Sequence, residues 1–207
     1  MADFVSDRIF AFDGEGVIRL TFGSSGVAPG EFDGPVAVAV GEGGEVYVLE
    51  FRNHRVQKFD SSGKYLLGWG GEGNGDGQLF FPGDLALDEE GNVWVLDTHN
   101  DRLQKFTADG EFLGAWGREG SGMGEFADAS GLSIDGKGRI YVADSGNNRL
   151  QVFDSEVRHL FTYDYGGKWQ GEVYSPIDVA VDGSGGDVYT ADISRHLVQR
   201  FTLGGSQ

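Results

Sequence analysis

The sequence contains no cysteine, only 4 prolines, and 16 lysines and arginines against 33 aspartates and glutamates. Without cysteine the chain can form neither disulfides nor thiolate zinc sites, and it has no cysteine nucleophile. Its formal net charge of −17 repels nucleic-acid phosphates. The composition therefore argues against a nucleic-acid partner and favours a basic or neutral one.

The sequence also lacks a long apolar run. No stretch approaches the length needed to cross a membrane, and the first residues have neither the basic start nor the apolar segment of a signal peptide. We therefore expect no membrane partner and a soluble chain, and the sequence leaves its compartment open.

Glycine and aromatic residues, in contrast, are abundant. The chain has 36 glycines, and 13% of its residues are aromatic and spread along its length. This composition indicates short strands joined by many turns rather than helices or disorder.

An internal repeat of about 47 residues dominates the sequence. Near-identical segments such as RVQKF, RLQKF and RLQVF each end in a phenylalanine of the series Phe12, Phe59, Phe106, Phe153 and Phe201. An acidic residue precedes each segment at a constant interval, in the series Asp3, Glu50, Asp97, Asp144 and Asp192. A period of this length is typical of stacked repeat architectures.

Each repeat divides into four short predicted strands. The first is apolar and usually follows a proline (PVAVAV, PIDVAVD), the second alternates and ends in the acid (GEVYVLE, GNVWVLD), and the third is the R-x-x-x-F segment. The fourth is less regular (KYLLGWG, EFLGAWG). Four antiparallel strands per unit are typical of a propeller blade, so we predict an all-β propeller. We expect a single domain, 1–207, with repeat junctions near 34, 81, 128 and 175.

The pattern G-x-F-x-x-P-x-x-[VL]-[AS]-[VIL]-D, followed by G-x-[VI]-[YW]-V-x-D and N-x-R-[VIL]-Q-x-F, resembles the NHL repeat. The resemblance implies about five four-stranded blades. The first and last are incomplete, because the chain starts partway through a repeat and ends after a third strand. The array would then be an open ring or one completed by another chain, with possible self-association through the unpaired terminal blades. A closed four-bladed ring is the alternative.

Candidate binding residues lie where the repeats differ on the face that carries the turns between second and third strands. The acid recurs in every repeat and the arginine in most, with Leu197 in its place in the last copy, and we interpret both as scaffold residues. Variable, aromatic or apolar residues at loop tips are typical of partner contacts. The predicted contact residues are Phe51, Arg52, His54, His99, Asp101 and Trp169.

The central channel offers a second candidate site. Asp84 and Asp178 occupy the same position of an innermost strand, and paired carboxylates can bind a calcium-like cation. Aspartate here can equally cap backbone amides. Some NHL relatives are zinc-dependent lyases, so the resemblance also raises the possibility of zinc, but no cofactor is required by the sequence.

These observations favour a non-catalytic binding scaffold that presents variable loops to a protein, peptide or glycan. The alternative is a divalent-cation-dependent hydrolase or lyase, similar to the lactonase and amidating-lyase propellers, with its site in the channel. A third interpretation is a purely structural repeat segment. The sequence shows no Ser-His-Asp or paired-carboxylate motif at a diagnostic spacing.

Overall fold

A computed structural model describes residues 1–164, 173–184 and 186–202. Within these ranges the chain forms eighteen short antiparallel strands arranged in five sheets. The helical structure described there consists of two single-turn 3₁₀ helices, Thr98–Asn100 and Ser145–Asn147. No helix in the described ranges is long and apolar enough to span a membrane.

The three central blades each have four strands in sequential order. The second blade contains β4 (Pro35–Val40), β5 (Val46–Glu50), β6 (Arg55–Phe59) and β7 (Tyr65–Gly70). The third contains β8 (Asp84–Leu87), β9 (Val93–Asp97), β10 (Arg102–Phe106) and β11 (Phe112–Trp116). The fourth contains β12 (Gly131–Ile134), β13 (Ile140–Asp144), β14 (Arg149–Phe153) and β15 (His159–Asp164).

The first and last blades have three strands each. The first contains β1 (Ala2–Asp3), β2 (Arg8–Phe12) and β3 (Ile18–Phe22), and the last contains β16 (Pro176–Val181), β17 (Asp187–Asp192) and β18 (Leu197–Thr202). The alternative of a four-bladed ring is wrong, because the terminal strands form two separate sheets rather than one shared blade.

The five sheets are the blades of a β-propeller, as the repeat predicts. The innermost strands of successive blades pack side by side in chain order, β4 on β8, β8 on β12 and β12 on β16, while β1 packs against β4. In the described ranges no strand of the first blade packs to a comparable extent on a strand of the last.

Hydrophobic side chains fill the space between blades. In the interface of the second and third blades, Tyr47 and Val56 face forward along the chain, and Val93 and Phe106 face back towards them. Side chains alternate between the two faces of a strand, so each blade contributes to two interfaces. The repeated phenylalanine is the residue that faces the preceding blade.

Candidate functional site

The turn between the second and third strands has the same backbone geometry in every blade. The residue before the repeated arginine, or before Leu197 in the last blade, has a positive φ of 51 to 53° in the series Asp7, His54, Asp101, Asn148 and His196. Asparagine, aspartate and histidine are enriched in this left-handed region. The restriction to these residue types therefore follows from the turn itself.

Three of these side chains also connect successive blades. Asp7 accepts a hydrogen bond from the backbone N–H of Gly34 at 2.9 Å, and His54 Nδ1 accepts one from the N–H of Phe81 at 2.9 Å. Asp101 accepts one from the N–H of Asp128 at 3.2 Å. In each case the donor lies at the entry to the next blade, so this position has a structural task.

A buried polar network lies beside this turn in each central blade. In the third blade the fully buried Asp97 carboxylate accepts hydrogen bonds from Asn100, Arg102 and Gln104 at 2.8 to 3.0 Å. The Arg102 guanidinium also donates to three carbonyl groups of the 74–78 segment. The repeated acid and arginine thus fix the long loop that enters the blade, which accounts for their recurrence.

On the same face, aromatic rings from the first three blades meet in a cluster that we call the aromatic patch. Its members are Phe4, Phe51, Phe80, Phe81 and His99. Ring centroids lie 6.2 Å apart for Phe4 and Phe51, 4.9 Å for Phe51 and Phe81, and 5.1 Å for Phe81 and His99. Phe4 and His99 are exposed, and the three other rings are partly buried.

Phe81 occupies an unusual backbone position for a bulky residue. Its φ is +43°, and the equivalent residues in the second and fourth blades, Gly34 and Asp128, also have a positive φ but tolerate it better. Strained backbone at a non-glycine residue is concentrated at functional sites. The bulky side chain at this position, rather than the backbone conformation, is thus what distinguishes the centre of the aromatic patch from the equivalent positions of the second and fourth blades.

Arg52 lies at the edge of the patch. Its guanidinium carbon is 4.8 Å from the centroid of the Phe4 ring, a cation–π distance, and it forms a 3.1 Å ion pair with Asp33. Both charged side chains are more than one-third exposed. The guanidinium of Arg52 thus lies over the first ring and stays accessible to solvent at the rim of the patch.

The structure brings together three of the predicted contact residues, Phe51, Arg52 and His99. His54 is only 7% exposed and stacks under the patch on Phe80, so it supports the surface from below. Asp101 lies in the same turn of the third blade as His99, and its N–H donates to the carbonyl of Thr98. Trp169 lies outside the described residues. The involvement of these residues in binding stays a prediction.

Sequence reasoning missed Phe80 and Phe81 as site residues. The signal was the Phe-Phe pair directly before Pro82, at a junction where the other repeats have Asp-Gly, Ala-Asp and Tyr-Ser. Their side chains matter because the long loop ends beside the turn of the same blade, where the N–H of His99 donates to the carbonyl of Phe80.

The two aspartates of the channel differ in their surroundings. Asp84 is partly buried and accepts backbone hydrogen bonds from Leu85 and, in the next blade, from Leu132, each at 2.8 Å. Burial raises the pKa of Asp84 to about 7, the two N–H groups oppose the shift, and the charge of Asp178 adds to it. Asp178 is exposed and accepts the N–H of Val179.

Metal ligands are not clustered in the described part of the chain. It contains no group of three or more histidine, aspartate or glutamate side chains placed to hold one ion. His159 packs on Phe153 and pairs with Thr162, as a fourth-strand residue would.

The repeats match the family model described as NHL repeat at residues 32–59, 81–106, 126–153 and 173–201. The chain belongs to the NHL repeat family. The four matches correspond to the second to fifth blades. No curated protein sequence matches the chain.

Solved structures of similar fold include two lyases. A catalytically inactive virginiamycin B lyase from Staphylococcus aureus, with quinupristin, superposes with a TM-score of 0.70 at 14% identity, over 97% of this chain and 61% of that one. A streptogramin B lyase superposes with a TM-score of 0.65 at 13% identity, over 98% of this chain and 64% of that one. A Bacteroides thetaiotaomicron protein of unknown function superposes with a TM-score of 0.64 at 19% identity, over 88% of this chain and 50% of that one. The chain thus spans less than two thirds of these structures, and at such identities the likeness establishes the fold alone.

Proposed function

We propose that this NHL propeller is a non-catalytic binding scaffold that docks a protein or peptide segment on the aromatic patch. The observation that carries the proposal is the convergence of five rings from three blades on one face. Aromatic side chains supply large contact areas at low entropic cost and are enriched among binding hot spots.

The charge around the patch specifies the kind of partner. Asp33 lies at its rim beside Arg52, and Asp101, in the same turn as His99, accepts the N–H of Asp128 from the entry to the fourth blade. Partial burial raises the pKa of Asp101, and the neighbouring charges of Asp128 and Glu119 act in the same direction. An apolar anchor flanked by lysine or arginine would satisfy both the rings and the acidic rim. A glycan would use the same rings without the charge preference.

A displayed library of random peptides tests the proposal. Wild-type protein should enrich peptides that combine a large apolar residue with flanking basic residues. The Phe4→Ala/Phe51→Ala double variant should bind the enriched peptides about tenfold or more weakly, because each lost ring removes a hot-spot contact. The matched control is Leu113→Ala, an exposed apolar residue on the outer strand β11.

Thermal unfolding of the same variants separates binding from stability. Both Phe4 and Phe51 keep some solvent exposure, so their replacement should lower the melting temperature only slightly. Equal enrichment on wild type and double variant, or loss of binding only through unfolding, would contradict the proposal.

A second candidate function is a cation-dependent hydrolase or lyase acting in the channel. The raised pKa of Asp84, about 7, favours it, because general acids and bases work best near ambient pH. Metal analysis of the purified protein tests it. Stoichiometric zinc or calcium that is lost on Asp84→Ala would support this function, and metal-free protein would count against it.

A further inference from the structure

We call the side of a blade that packs against the next blade in the chain its forward face, and the opposite side its backward face. The forward face of the last blade exposes side chains that are buried at the equivalent positions of the other blades. Val198 is 69% exposed, whereas its equivalents Val56, Leu103 and Leu150 are each 0% exposed. Tyr189 is 38% exposed, whereas the aromatic residue at this position is 0 to 3% exposed in the central blades. The face thus carries the apolar residues of a blade interface without the blade that covers them.

The backward face of the first blade is also exposed, and it carries the other half of the residues that form a blade interface. Phe12 is 45% exposed, whereas the repeated phenylalanine is 1 to 5% exposed in the four other blades. Phe10 stands at the position that is glutamine in every other repeat, on the same face of β2 as Phe12, and the two ring centroids are 6.4 Å apart. This face is therefore more apolar than the repeat requires.

The two open faces are the two halves of an interface that the molecule already uses. Between the second and third blades, Val56 and Tyr47 pack with Phe106 in one cluster. Val198 and Tyr189 are the equivalents of the first pair, and Phe12 is the equivalent of the phenylalanine. Complementarity of the two faces thus follows from the repeat itself.

We propose that two copies of this 207-residue chain associate, the last blade of one docking on the first blade of the other, with Val198 and Tyr189 packed against Phe10 and Phe12. The contact is heterologous: one partner contributes the forward face and the other the backward face. A dimer of this kind keeps one free face of each type, so association continues to larger species as concentration rises. This proposal is independent of the aromatic patch.

Net charge opposes the contact. Each copy carries a formal charge of −17, so two copies repel one another at low ionic strength. Salt screens this repulsion and does not weaken apolar packing. Association should therefore strengthen with added sodium chloride, whereas a contact held by exposed ion pairs would weaken.

Mass measurement by light scattering, over a range of protein and salt concentrations, tests the proposal. Wild type should show mass rising from 22.3 kDa to twice that value and above. Val198→Glu and Phe12→Glu should each weaken association about a hundredfold or more, because an unpaired charge would be buried. An equimolar mixture of the two variants should recover a dimer, since each retains the face that the other has lost.

Leu113→Glu is the control variant, because it places the same charge on an exposed outer strand away from both faces. It should associate like wild type. All the altered side chains are substantially exposed, so circular dichroism should show every variant folded. A monomer at all concentrations, or association of Phe12→Glu alone, would overturn the proposal. A monomer at all concentrations would indicate that the first and last blades meet within one chain. Association of Phe12→Glu alone would indicate contact between the last blades of two copies.

Discussion

The central blades and the terminal blades carry the same repeat but give it different surroundings. Val56 and Val198 occupy one repeat position, and the first is fully buried while the second is 69% exposed. Arg102 and Arg8 occupy another. Arg102 forms an ion pair with a buried carboxylate, whereas Arg8 is exposed and makes no comparable ion pair among the described residues.

The difference shows that the stability of a blade depends on the blades beside it. Each central repeat contributes one side of two blade interfaces, and the neighbouring blades contribute the other sides. Its buried acid and its arginine hold a loop that comes from the preceding repeat. Stability in such an array is approximately a sum of repeat and nearest-neighbour terms. The same substitution should therefore have unequal effects in central and terminal blades.

Removal of the clamping arginine should show the largest contrast. Arg102→Ala leaves the Asp97 carboxylate buried without its ion-pair partner and frees three loop carbonyls, so the free energy of unfolding should fall by about 4 kcal/mol. Arg8→Ala should cost less than about 0.5 kcal/mol, as surface changes do. Denaturant unfolding of both variants measures the contrast. Equal losses would mean that the arginine contributes through something other than the clamp.

Truncation of the repeated valine should give a smaller contrast. Val56→Ala removes two buried methyl groups from a filled interface and should cost about 2 kcal/mol. Val198→Ala, the matched change in the last blade, should cost less than about 0.5 kcal/mol at concentrations where the protein is monomeric. A large loss at Val198 under those conditions would show that another part of the same chain covers the open face.

The blade architecture could be predicted from the sequence because the residues that form the blade interfaces recur with the period of the repeat. The alternation of the second strand and the R-x-x-x-F segment fix which side chains face which neighbour, so the blade architecture follows from the spacing of residues such as Phe59 and Phe106. Two features did not follow. The first is the left-handed turn at His54 and Asp101. It explains why this position varies among aspartate, histidine and asparagine, a variation that the sequence analysis interpreted as a sign of partner binding.

The aromatic patch was also only partly predictable. Phe51 and His99 stand out as loop-tip residues, but the patch depends on Phe80 and Phe81, which lie at the end of a long loop. Their proximity to the turn comes from a backbone hydrogen bond between that loop and the turn of the same blade, and from the His54 contact of the preceding one. Contacts of this kind depend on loop geometry, which periodicity does not encode.

The smallest predicted effect concerns Asp84, whose carboxyl connects two inner strands. Its pKa is raised from 3.8 to about 7, so the folded state retains a proton that the unfolded state loses as pH rises from about 4 to 7. By linkage this group's contribution to stability falls across that window and is constant above it. We expect the loss to be about 1 kcal/mol, since the carboxyl is partly exposed and screened. The stability difference between wild type and Asp84→Ala should therefore shrink between pH 4 and pH 8, whereas Leu85→Ala, a buried neighbour, should cost a similar amount at every pH. A constant difference for Asp84→Ala would mean that its pKa is the same in the folded and unfolded states, and would remove the argument for chemistry in the channel.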